Sequence, residues 1–378
     1  MREELLREVA AAFEIPGRWL SSARFGSGHI NDTILALFDE DGRTTRWVQQ
    51  RINRSVFQEP EKLMENVARV TEHQRRALLR KGTSDIERRA LQLVPARSGG
   101  CSFVDPEGGH WRTYHFIQGA SSQDVILSPA DARVAAAAFG RFQEQLADLP
   151  GPRLHETIPR FHHARARFEA LLDTARADAH GRLRECRAEL DFLLAHETVV
   201  DRLLALHENG ILPERITHND TKLNNVLLDD RTGEALCVID LDTVMPGLSL
   251  YDFGDLVRSA TSPTAEDERD LSKVALRPEM FAALVEGYLE GAHFLLPAER
   301  AELAFSGLLI TLVIGMRFLT DHLRGDLYFR IHHPGHNLER CRTQLRLVAS
   351  MQGQSERMQA IVEEAAARAS VSRASRGP

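Results

Sequence analysis

Residues 2–14 mix charged and apolar positions at helical spacing from Arg2-Glu3-Glu4-Leu5-Leu6 onward and predict a first helix. Residues 18–26, 32–38 and 44–53 then alternate and break like strands of a meander. Pro60 starts a long helical pattern, with Leu63, Met64, Val67, Val70, His73, Gln74 and Ala77 on one face. Two more strand-like runs, 91–95 and 109–117, flank a turn at Ser98-Gly99-Gly100, so the first part reads as five strands and one main helix. The small polar stretch Gln118-Gly119-Ala120-Ser121-Ser122 closes it. Beyond it, helical patterns cover 129–146, 158–177 and 182–207, and helices continue to residue 367. One strand pair, 226–228 and 236–239 around the turn 229–233, interrupts them. The pattern predicts an α+β chain with a boundary near residue 119: 1–118, then a mainly helical part over 119–369, then a disordered tail over 370–378. No internal repeat is visible.

Length and composition narrow the class. The chain has 378 residues, 43% of them hydrophobic and 27% charged, as in ordinary globular proteins of about two domains. A net charge of -7 gives no field for nucleic acid or an anionic membrane. Cys101, Cys186, Cys237 and Cys341 stand far apart with no C-x-x-C pair, which points to a reducing, cytoplasmic setting. The charged N-terminus is not a signal peptide. The most apolar run, 303–319, is interrupted by Ser306, Thr311 and Arg317 and reads as a buried helix rather than a membrane span. The His332-His333-Pro334-Gly335-His336 segment has no Cys or paired acid at ligand spacing and reads as a loop.

The sharpest signal is His218-Asn219-Asp220-Thr221-Lys222-Leu223-Asn224-Asn225, followed by an apolar strand and, twenty positions after Asp220, by Ile239-Asp240-Leu241-Asp242. This is the spacing of a kinase catalytic loop and its metal-binding carboxylate. Phosphoryl transfer needs a carboxylate to orient the attacking hydroxyl, and Asp220 supplies it. It also needs oxygen ligands for Mg2+ on the ATP phosphates, here Asn225 and Asp240. Lys222 can place a positive charge near the transferring phosphate. Gly26-Ser27-Gly28, between two predicted strands, lets backbone approach phosphates without a side chain in the way. A hinge at 115–119 could offer the main chain of Phe116 and Ile117 to adenine.

The loop and its I-D pair resemble the aminoglycoside phosphotransferase and choline kinase family of small-molecule kinases. That resemblance runs through most of the chain. It implies a protein-kinase-like two-lobe fold, with a five-stranded antiparallel ATP lobe, a hinge and a helical substrate lobe. Within the family, Phe25-Gly26-Ser27-Gly28-His29-Ile30-Asn31-Asp32-Thr33, Asp240-Leu241-Asp242-Thr243-Val244-Met245-Pro246-Gly247 and Tyr251-Asp252-Phe253-Gly254-Asp255 are most similar to the N-acetylhexosamine 1-kinases. The resemblance implies ATP-dependent phosphorylation of the anomeric hydroxyl of N-acetylglucosamine or N-acetylgalactosamine, with His29, Asp32, Arg317 and Tyr328 at the sugar. Arg317, in an apolar helix, must otherwise find a carboxylate, and Asp321 is four positions on.

The chain departs from protein kinases at the third strand, which has no lysine; only four of its 47 basic residues are lysines. Arg51 is the candidate replacement, because a guanidinium can clamp two phosphate oxygens, with Glu65 as its partner. A kinase for another small alcohol (an aminoglycoside, choline or a different sugar) is the alternative. A nucleotide-binding scaffold without turnover fits less well, since the base and metal positions are complete.

Overall fold

Along the chain, α1 (Glu3–Ala12) precedes three strands, β1 (Arg18–Arg24), β2 (Asp32–Glu40) and β3 (Arg43–Ile52). Next come α2 (Pro60–Arg80), α3 (Ile86–Arg89), β4 (Phe103–Val104), β5 (His110–His115) and β6 (Ala120–Ser121). Helices α4 (Pro129–Leu146), α5 (Ala164–Ala177), α6 (Arg187–Ala195) and α7 (Arg202–Glu208) follow. Four short strands are β7 (Arg215–Thr217), β8 (Val226–Asp229), β9 (Ala235–Val238) and β10 (Met245–Gly247). The chain ends in α8 (Ser249–Ala260), α9 (Pro278–Gly291), α10 (Pro297–Ala301), α11 (Leu303–Leu323), α12 (His336–Gln352) and α13 (Ser355–Arg376). The structure, a computed structural model, describes residues 1–26, 30–123, 126 and 128–376, with side chains as far as 369.

Two units divide the chain: Met1–Ser121 with Asp148–Ile158 and Leu227–Val244, and Ser122–Ala147 with Pro159–Val226 and Met245–Pro378. The first is built on an antiparallel sheet in the order β1-β2-β3-β5-β4. Period-two burial along β2 and β3 puts Ile34, Ala36, Phe38 and Trp47 into a core shared with Leu5, Val9 and Phe13 of the N-terminal segment. The α2 stripe expected from the sequence is buried as drawn, including His73 and Gln74.

Five strands are present, but the run 91–95 is not one of them. Leu93 forms only an isolated bridge to Tyr114, and β4 takes the outer place. Pro95 has no N–H to extend that pairing, so contact stops at Val94 N to Thr113 O and His115 N to Gln92 O. The β8–β9 pair, expected among the helices, belongs to the first unit because β8 pairs with β6, Ala120 opposite Asp229.

The second unit is helical, with the small sheet β7–β10 beside α8. Its α11 is apolar almost all round, and its residues from Leu303 to Leu323 are mostly buried in the unit's own core. The expected helix over 182–207 breaks at His196, whose Nδ1 bonds the Phe192 carbonyl. The tail expected from residue 370 instead continues α13 to Arg376. That helix is rich in Ala, Glu and Arg and meets no Gly or Pro before Gly377.

Helices α4 and α9 approach through glycine. A Cβ at Gly287 would lie 2.2 Å from the Arg133 carbonyl, one at Gly291 2.4 Å from that of Ala137, and one at Gly140 2.8 Å from that of Tyr288. Backbone, not a flexible side chain, occupies each place. Gly287→Ala is therefore expected to lose about 1–3 kcal/mol of stability through overpacking, measurable as a lower urea midpoint at unchanged m-value.

Candidate active site

In the second unit the loop from His218 to Asn225 is held from beneath by α8. Asp252, fully buried, accepts the backbone N–H of His218 on one oxygen (2.8 Å) and that of Asn219 on the other (2.7 Å). Gln143 of α4 donates to the same carboxylate, and the Tyr288 hydroxyl on α9 reaches Gln143 Oε1 (2.9 Å) and the Ser249 carbonyl (3.0 Å). Asp255, one turn on, accepts the Thr221 N–H (2.9 Å) and pairs with buried Arg258 (2.7 Å). Burial pushes the Asp252 carboxyl up to about 7, against the pull of its three donors. His162 donates from Nε2 to the Asn219 carbonyl (3.0 Å), and burial lowers its pKa to about 4, which keeps the ring neutral. Asn219 itself sits at φ +66°, a left-handed conformation that this clamp enforces.

What the clamp presents is Asp220. Lys222 lies 2.9 Å from its Oδ1, and the Asn225 amide donates to its carbonyl (2.8 Å) and to Oδ2 (3.1 Å). Burial alone would raise the Asp220 pKa; Lys222, with His218 and Arg258, instead brings it down to about 2. With its NH2 spent on Asp220, Asn225 has its carboxamide oxygen left for a hard cation.

In the first unit Asp240 is exposed, at φ +60°, immediately before a tight turn over Leu241–Thr243. Two positions on, Asp242 is the opposite case. It is buried, paired with Arg112 of β5 (2.5 Å) and bonded by the Asn31 amide (2.6 Å). Arg51 and Glu65 do not pair: Arg51 lies 3.9 Å from Asp105, and Glu65 bonds His155 (2.7 Å). Arg51 stands opposite Trp111 of β5, where Asp105 is the nearest acid; Glu65 is on the α2 side that meets 148–158. Past Ile117, Arg88 straps the chain through the carbonyls of Gln118 (3.1 Å) and Gly119 (2.9 Å) and through Asp229. Phe116 packs edge-on to Phe25 and under the Arg46 guanidinium, while Ile117 is buried.

Gly26 adopts φ +77°, open space around it, as a turn approached by phosphate would need. Ser27, Gly28 and His29 lie outside the described residues. Asp32 heads β2 in an ion pair with Arg24 (2.8 Å). Arg317, in the second unit, has its guanidinium 4.4 Å over the Phe161 ring, 5.3 Å from Tyr328 and 5.4 Å from Phe329. Asp321 does not neutralise it. Its oxygens are taken by the N–H groups of Leu327, Tyr328 and Phe329 and by Asn337. The neighbouring Arg167 bonds the Phe161 carbonyl (3.0 Å), and burial, then the charge of Arg317, lowers its pKa to about 10. Among the described residues no cluster of His, Cys, Asp and Glu suited to a metal was found.

Sequence reasoning missed Arg112, Gln143 and Arg258, and it met Asp242, Asp252 and Asp255 only inside motifs without assigning them work. A buried charged residue inside an otherwise apolar helix, as at Asp252 and Asp255, was the available signal.

This protein-kinase-like α+β architecture is shared with small-molecule kinases. The chain is similar to the microcompartment-associated aminopropanol kinase (19% identity, TM-score 0.60, 94% of this chain and 98% of that one). It is also similar to choline kinase from Cryptosporidium parvum (14%, TM-score 0.56, 95% and 97%) and to an aminoglycoside phosphotransferase from Alicyclobacillus acidocaldarius (13%, TM-score 0.55, 96% and 96%). Residues 22–303 match the phosphotransferase enzyme family, APH, and the chain belongs to that family.

An amide at position 252 keeps the shape but offers one acceptor oxygen where the loop needs two. Asp252→Asn is expected to orphan a buried backbone donor, at about 1–3 kcal/mol, visible in a denaturant titration as a lower midpoint.

Proposed function

We propose that the protein is an ATP- and magnesium-dependent kinase that phosphorylates the anomeric hydroxyl of an N-acetylhexosamine, N-acetylglucosamine or N-acetylgalactosamine, to the sugar 1-phosphate. The observation that carries the acceptor half is the aromatic frame around Arg317, which among the described residues holds a guanidinium with no carboxylate in ion-pair range. Such a group donates to neutral or acyl oxygens, and with Arg167 beside it this part of the second unit repels cations. That counts against an aminoglycoside or choline as acceptor.

Asp220 orients the sugar hydroxyl. A carboxyl with a pKa near 2 is a weak base, so the proton leaves late, as the oxygen bonds to phosphorus in a loose transition state. Lys222, now on Asp220, supplies the positive charge that the transferring phosphoryl group requires. Asn225 and Asp240 would hold magnesium through oxygen, and the exposed carboxylate of Asp240 fits that task. Bound there, the ion would neutralise phosphate charge. Asp32, Tyr328 and His29 are proposed sugar contacts, and Gly26, Ser27, Gly28, Phe116 and Ile117 nucleotide contacts.

Incubation with ATP, magnesium and a mixture of N-acetylglucosamine, N-acetylgalactosamine and kanamycin should yield an anomeric sugar phosphate by phosphorus NMR, absent with Asp220→Asn. Phosphate on kanamycin alone would sink the acceptor assignment and leave the kinase. Lys222→Ala removes the main interaction that lowers the Asp220 pKa, so burial then raises it. The acid limb of the kcat profile should therefore move to higher pH; an unmoved limb would show that Asp220 does not govern it.

A further inference from the structure

Strand β3 offers no lysine, and Gln50, half-buried on the sheet face away from Trp47, stands opposite Arg112. Its Oε1 accepts both Nε (3.0 Å) and Nη2 (2.8 Å) of Arg112, while its Nε2 donates to Thr33 (3.0 Å). The third nitrogen of Arg112 lies 2.5 Å from Asp242 Oδ1, and each residue is only 1% exposed. Each nitrogen of this guanidinium thus faces an oxygen of the first unit, Nε and Nη2 by hydrogen bonds and Nη1 by an ion pair outside hydrogen-bond geometry. None is left to clamp a phosphate, so the arginine does not act as the missing lysine would.

The pair is costly to bury, and a sheet that needed only stability could replace it with apolar side chains. Its product is a fixed Asp242. From there the turn is held at three further points: Asn31 donates to Asp242 Oδ2 (2.6 Å), Thr157 to the Asp242 carbonyl (2.6 Å) and Asn66 to the Val244 carbonyl (3.1 Å). The residue that this framework delivers is Asp240, in a left-handed conformation that costs a non-glycine residue about 1–3 kcal/mol and persists only where its surroundings impose it.

We infer that Arg112 is a positioning residue for the metal carboxylate: anchored by Gln50, it fixes Asp242 and thereby the direction in which Asp240 presents its oxygens. The inference rests on the proposed reading of Asp240 as a magnesium ligand. Lysine at 112 keeps the charge but replaces with one nitrogen the planar fork of three that holds Gln50 and Asp242 in fixed directions. Removing such an outer partner costs about ten- to a hundredfold in metal affinity.

The test is Mn2+ binding to the full chain in the presence of ADP, followed by the EPR signal of free Mn2+, for wild type, Arg112→Lys, Arg112→Met/Asp242→Leu and Asp240→Asn. ADP affinity without metal and thermal unfolding are measured alongside. Arg112→Lys is expected to stay folded, bind ADP as wild type does, and lose about tenfold or more in Mn2+ affinity. The apolar pair should do the same, and if it does not fold, the lysine variant decides. Wild-type Mn2+ affinity in Arg112→Lys, with Asp240→Asn impaired, overturns the inference alone. Wild-type affinity in Asp240→Asn overturns the ligand reading and the inference with it.

Discussion

Everything assigned to the second unit's loop depends on one buried carboxylate. A loop that carries a reactive group cannot spend its own backbone on a regular ladder, yet its N–H groups still need acceptors. Asp252 provides two oxygens to two successive N–H groups, and a side chain from another helix completes its set. The Asn219 conformation follows from anchors on both sides of it, since its own N–H is held by Asp252, its carbonyl by His162 and the Thr221 N–H by Asp255. Once residues 218 and 219 are fixed, the direction of Asp220 is set by covalent geometry.

The turn after β9 in the first unit uses the same logic with different parts. There the positive φ falls on the exposed acid itself, where in the loop it falls on Asn219 just before the acid, and again a buried acid close by takes the structural load. In both places the two duties are given to different carboxylates. A buried carboxylate can be saturated with donors and immobile, and a reactive one must keep an oxygen open to its substrate or ion.

Much of this was legible in the sequence, though unevenly. The α2 stripe and the α4 limits were readable because a long amphipathic period or a proline start leaves little choice. The spacing from Asp220 to Asp240 was readable because a hairpin of fixed length separates them. What was hidden depends on pairing at a distance. The run 91–95 has strand-like composition, but whether it is a strand depends on what β5 offers it. Arg51 and Arg112 look alike in sequence; only the register of β3 on β5 shows which guanidinium is buried and which acid it meets. The occupation of Asp321 by three backbone N–H groups, which takes it away from Arg317, could not be read from an i, i+4 spacing.

The glycine contact between α4 and α9 has a mechanical meaning. Gln143 lies one turn beyond Gly140 on α4, and Tyr288 is next to Gly287 on α9, so the two side chains behind Asp252 stand on backbones that glycine brings close together. Close-packed backbones without intervening side chains form a stiff joint, because no rotamer can yield between them. The loop is in effect bolted to a stiff seam of its unit, and looseness there would appear as misalignment of Asp220 before it appeared as unfolding.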